Sequence, residues 1–67
     1  MSVARVTQVT ASAAKSFDDA VSKGLKRASR TARGITGLHV VDRKAKVANG
    51  KIEEYRVTMD LTFVLED

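Results

Sequence analysis

The chain has 67 residues, with 12 Lys plus Arg against 8 Asp plus Glu, a formal net charge of +4, one His and no Cys. Residues 1–67 therefore make a single small domain, with no room for a second core or a deep enclosed active site. Disulfides and cysteine-ligated zinc or iron–sulfur centres are excluded. No stretch approaches the roughly 18 consecutive apolar residues of a membrane span. Met1 to Thr10 carries one basic residue, Arg5, and no apolar run behind it, so a soluble cytoplasmic protein is the expectation. The basic balance suggests attraction to anions such as nucleic acid, phosphates or acidic surfaces.

From Val3 to Thr10 the β-branched content (Val6, Thr7, Val9, Thr10) favours a short strand, and Ala11 to Lys15 reads as a connection. Ser16 with Asp19 three residues on has capping-box spacing, and Asp18 and Asp19 place negative charge on the first turn, where the helix dipole favours it. A helix is predicted to start there. Phe17, Ala20, Val21, Gly24, Leu25, Ala28 and Ala32 fall at spacings of three and four and form its apolar stripe. Lys23, Lys26, Arg27, Arg30 and Arg33 fall on the rest, a solvated basic face, and Gly34 stands where a left-handed cap would end the helix. A nucleic-acid surface would add exposed aromatic platforms. The three aromatics, Phe17, Tyr55 and Phe63, all occupy core-like positions, so nucleic acid is expected to bind only by non-specific electrostatics.

Past Ile35 the period changes. Leu38 to Val47 and Lys51 to Leu65 are two extended runs joined by Ala48-Asn49-Gly50, and Asn-Gly is the strongest short hairpin signal because a type I′ turn needs two positive φ angles. In the second arm Tyr55, Val57, Met59, Leu61, Phe63 and Leu65 alternate with Arg56, Thr58, Asp60, Thr62, Val64 and Glu66, one set for the helix and the other for a more polar face. In the first arm Leu38 and Val40 continue the inner face, leaving Gly37, His39, Val41 and Arg43 outside. The predicted order is β-α-β-β, and its final strand is far longer than one helix can cover. Much of that strand is therefore expected to pack on other subunits, with the isolated subunit not stably folded.

The run Val9-Thr10-Ala11-Ser12, the run Ser16-Phe17-Asp18-Asp19-Ala20-Val21, and the closing pattern of Tyr55, Val57-Thr58-Met59, Phe63 and Leu65-Glu66-Asp67 resemble the dodecin family across essentially the whole chain. The resemblance implies an α+β fold of β-α-β-β order, a three-stranded antiparallel sheet wrapped partly around one helix. It also implies assembly with eleven further copies of itself into a hollow homododecamer. Most members of this bacterial and archaeal family bind flavins in pairs at two-fold subunit contacts, stacking them on a tryptophan at the start of the second strand. Here that region reads Gly37-Leu38-His39-Val40, and the chain has no Trp. The family's glutamine after the tyrosine is Arg56, which offers donors but no acceptor. Gly37 and Arg56 thus mark a flavin site expected to be non-functional for flavin.

Lacking the tryptophan, the chain resembles the branch known as calcium dodecins. Calcium takes roughly six to eight oxygen ligands, and there is no EF-hand loop, so a site must be assembled between strands or subunits. Asp42 on the second strand, with Glu53 or Glu54 on its partner, are the candidate metal ligands; as surface carboxylates they could equally pair with Lys44, Lys46 or Lys51. Catalysis is not expected: the lone His39 has no nucleophile beside it, and the scattered glycines form no phosphate loop. The reading is a homododecameric small-ligand binding or storage protein with a degraded flavin pocket, calcium being the expected ion. Sequestration of FMN or riboflavin is the first alternative, and a basic nucleic-acid-binding module the second.

Overall fold

The computed structural model describes residues 3–65 and has the order β1 (Val3–Ala13), α1 (Phe17–Thr31), β2 (Ile35–Ala48), β3 (Lys51–Leu65). All pairing is antiparallel and the sheet order is β1-β3-β2, so β3 is central and the other two strands are edges. This is the predicted three-stranded sheet with one helix across it. Among the described residues no helix is long and apolar enough to cross a membrane. Glu66 and Asp67, the end of the expected alternation, lie outside the described residues.

The helix begins where the cap signal placed it. Ser16 is extended, and its hydroxyl accepts from the Asp19 backbone N–H at 3.0 Å, satisfying one of the donors a helix start leaves without partners. Asp19 does not close the reciprocal half of the box; its carboxylate meets Lys23, one turn on, at 3.3 Å. Ser16→Ala should cost about 1 kcal/mol, read as a lowered midpoint in urea with an unchanged slope. No change in the midpoint would mean that packing of Phe17 alone sets the helix start. Phe17 meets Tyr55 edge to face, with centroids 5.0 Å apart.

The far end of the helix differs from expectation. Helical geometry stops at Thr31, and Ala32 is already extended, its N–H donating to Ala28 at 3.0 Å. Gly34 does take positive φ, 77°, but beyond the cap, where it turns the chain into β2 and accepts from the Val64 N–H at 3.1 Å. Pulling the chain into that contact ends the helix before the apolar stripe runs out.

Val57, Met59, Leu61 and Phe63 of β3 are buried together with Ala13 and Ala20, and Val9, Ala11, Phe17, Val21, Leu25, Ala28, Ala32 and Ile35 pack around them. The predicted inner face of β3 is therefore the core over the stretch that the helix covers. A helix of 15 residues is about 22 Å long, whereas β3, also of 15 residues, reaches about 50 Å. The molecule accordingly measures 52 × 20 × 13 Å. The surplus is the distal hairpin, turned by Asn49 (φ 53°) and Gly50 (φ 74°) as the sequence predicted. Val41, Val47 and Ile52 are exposed there at 48%, 62% and 50%.

Two strand boundaries and one facing are corrected. β1 continues to Ala13 because Ala11 and Ala13 pair with Val57 and Tyr55, which extends a segment of weak strand propensity. β2 starts at Ile35, opposite Phe63, three residues before the predicted Leu38. Leu38 and Val40 lie opposite Leu61 and Met59 as predicted, but the register then shifts between Val40 and Asp42. That bulge absorbs Val41 and reverses the alternation beyond it. Arg43, expected outside, stands opposite Val57 on the helix side, and Asp42 stands opposite Thr58 on the outer face.

Candidate functional site

The sheet face turned away from the helix collects the polar positions of all three strands. Its rows, read across β1, β3 and β2, are Val6-Thr62-Gly37, Gln8-Asp60-His39, Thr10-Thr58-Asp42 and Ser12-Arg56-Lys44. Gln8 Nε2 donates to Asp60 Oδ1 at 3.1 Å, and the Thr10 and Thr58 hydroxyls meet at 3.2 Å. Gln8, Thr10, Thr58 and Asp60 were not singled out in the sequence. Gln8 and Thr10 lie within the predicted first strand, but only its register against β3 shows that they stand opposite Asp60 and Thr58. His39 takes its predicted outer place opposite Asp60.

Gly37 and Arg56 both lie on this face, but not together. Gly37 is opposite Thr62, six residues along β3 from Arg56, a separation of about 20 Å. Gly37 lines a shallow hollow of about 380 Å³ with Leu25, Ser29, Ile35, Thr36 and Leu38, which Arg56 does not reach. That hollow is walled by α1 residues, and the outer face brings Gly37 and Arg56 into no common site within one chain.

The three candidate metal ligands are also apart. Asp42 and Glu54 share the outer face, opposite Thr58 and Lys46 respectively, hence about 13 Å apart along the sheet. Calcium ligands lie about 2.3–2.6 Å from the ion, so these two cannot share one ion within a chain. Glu53 belongs by alternation to the other face. Among the described residues no three His, Cys, Asp or Glu side chains gather as a metal site.

Each acid also has a cationic neighbour. Asp42 Oδ1 accepts from the Arg43 backbone N–H at 2.9 Å while Oδ2 is 3.8 Å from Lys44 Nζ. Glu53 is 3.9 Å from Lys46 Nζ. These pairs are long and exposed, so water screens them and they contribute little. Glu54 differs, accepting from Arg56 Nε at 2.6 Å. That hydrogen bond holds the Glu54 carboxyl below its ordinary range, and the same bond raises Arg56 above its own. Of the three acids, Asp42 and Glu53 are the more easily released to an incoming cation.

The Dodecin family model matches residues 3–66. Dodecin from Streptomyces davaonensis superimposes with a TM-score of 0.92 at 29% identity, covering 98% of this chain and 97% of that one. A point mutant of Thermus thermophilus dodecin gives 0.94 at 21% identity over 100% of both chains. The calcium-chelating calcium dodecin of Mycobacterium tuberculosis gives 0.82 at 23% identity over 96% and 91%. No curated protein matches the chain. With its strand order, its single capped helix and a family match over nearly its whole length, the chain belongs to the dodecin family.

Proposed function

We propose that this chain is the subunit of a hollow homododecamer that binds calcium at subunit contacts, a non-catalytic protein of small-ion binding or storage. The observation that carries the reading is the distal hairpin. It extends past the helix with Val41, Val47 and Ile52 uncovered, and it carries Asp42, Glu53 and Glu54 at positions that do not converge within one chain. A neighbouring copy that buries the apolar positions would bring a second set of acids to the first, with main-chain carbonyls and water completing the shell. Asp42 and Glu53 exchange only weak lysine partners for the ion. The fold accommodates calcium in the M. tuberculosis protein. The flavin reading needs a stacking surface, and no Trp is present; losing such a platform removes on the order of 1–3 kcal/mol per ring face by analogy with base stacking.

A thermal melt of metal-stripped protein tests this. Calcium at about 100 times its dissociation constant should stabilise the folded form by about 2.7 kcal/mol per site, magnesium at the same concentration much less, and Asp42→Asn should abolish the rise. A rise with FMN alone would transfer the site to flavin. No response to any of the three ligands, or a compact monomer in light scattering at micromolar concentration, would overturn the proposal.

A further inference from the structure

A roomier hollow lies away from the outer face. It is a cleft of about 730 Å³ between the flank of α1 and the inner side of β1, within the range of small-molecule sites. Its origin is legible in the residue pattern. At Gly24 the helix lies directly on Ala11 and Met59, whereas Ala28, one turn on, and Ala32, just past the helix end, are too short to fill the space beside β1, and Lys23, Arg27 and Thr31 form the adjacent row. On β1, Arg5, Thr7, Val9 and Ala11 alternate inward. Leu61 and Phe63 lie at the floor.

The charges in this cleft are not balanced locally. Lys23 is paired with Asp19, but neither Arg5 nor Arg27 forms an ion pair with a described carboxylate. The Arg5 guanidinium is held over the Phe63 ring, 5.7 Å from its centroid, so a fixed positive charge stands directly above the apolar floor. Arginine forks match phosphate oxygens, and two guanidiniums that pair with no carboxylate among the described residues complement the charge of about −2 on a phosphate monoester. Thr7 and Thr31 add hydroxyls at the wall.

We infer that this cleft is a second ligand site, distinct from the outer face, which takes a small phosphate monoester with an apolar body. The phosphate meets Arg5 and Arg27, and the body lies on Val9, Ala11 and Ala28, over the buried Leu61 and Phe63.

Titration of the assembled, calcium-free protein with naphthyl phosphate, against naphthol and inorganic phosphate, tests the assignment. The ester should bind saturably at one per chain, naphthol and inorganic phosphate each at least about tenfold more weakly. Arg27→Gln should weaken the ester by about tenfold, the loss of one charge-assisted contact. Arg33→Gln, which removes the same charge outside the cleft, should leave it within about twofold, and Asp42→Asn should not affect it. Equal binding of naphthol, unchanged affinity in Arg27→Gln, or no saturable binding would each overturn the inference, whatever the calcium melt shows.

Discussion

Leu61→Ala should leave the protein largely unfolded at 37 °C. Leu61 has no exposed surface and sits on the central strand, between Thr7 of β1 and Leu38 of β2. Truncating a buried leucine costs about 2–5 kcal/mol, the lost transfer energy plus the cavity left behind. A chain this short buries only about 60% of the surface its unfolded form exposes, and small domains have about 5–15 kcal/mol in all. The substitution thus removes a large share of the total, and Met59, also fully buried beside it, loses its neighbour. Leu65→Ala on the same strand, where the side chain is 47% exposed, should stay within about 1 kcal/mol. Circular-dichroism melts of the two variants provide the check. If Leu61→Ala and Leu65→Ala melted together, the buried stretch of β3 would not be the core.

Gly24→Leu should be nearly as damaging, for the opposite reason. A Cβ at Gly24 would lie well inside van der Waals contact of Met59 Cε and 2.8 Å from Ala11 Cβ. Met59 could swing its terminal methyl aside, but Ala11 is fixed by its pairing with Val57, so helix and strand must separate. Overpacking of this kind costs about 1–3 kcal/mol, sometimes more, and leucine adds three further carbons to the clash. Gly24→Ala separates the opposing effects: alanine gains about 1 kcal/mol of helix propensity over glycine yet meets the same Ala11 methyl. Both variants should melt below the parent, leucine by the larger margin. A stabilised Gly24→Ala would show that the helix has room to move and that the close approach is not a constraint.

These two positions also illustrate how far the sequence could be read. Leu61 announced itself through the alternation of β3, a regular period in one strand with one covered face. Gly24 can be placed on the helix stripe, but nothing in the sequence says that Ala11 faces it, because Ala11 by its own propensity belongs to a connection. The segment Ala11-Ser12-Ala13 has little strand preference of its own and is extended by what it pairs with. The candidate site depends on pairing even more. Asp42, Glu53 and Glu54 could be picked out as acids on one hairpin, yet the residue absorbed at Val41 decides which face Asp42 occupies. It also put Arg43 on the helix side instead of outside. Along α1 the residue pattern marks one solvated basic face and carries no sign that Arg27 lines a cleft while Arg33 does not.

By itself the sequence determined the features whose causes act over a few residues. The Ser16 cap, the Asn49-Gly50 turn, the apolar alternation from Val57 to Phe63 and the family pattern from Tyr55 onward needed no partner to be recognised. Tertiary structure alone decided what depends on distant segments meeting: the length of β1, the early end of α1, the bulge that turns Asp42 outward, and the cleft between Arg5 and Arg27. The physical reason is that turn and cap preferences are paid locally in backbone dihedrals and short hydrogen bonds, whereas register and facing are set by pairing across strands, and a single absorbed residue reverses every side chain beyond it.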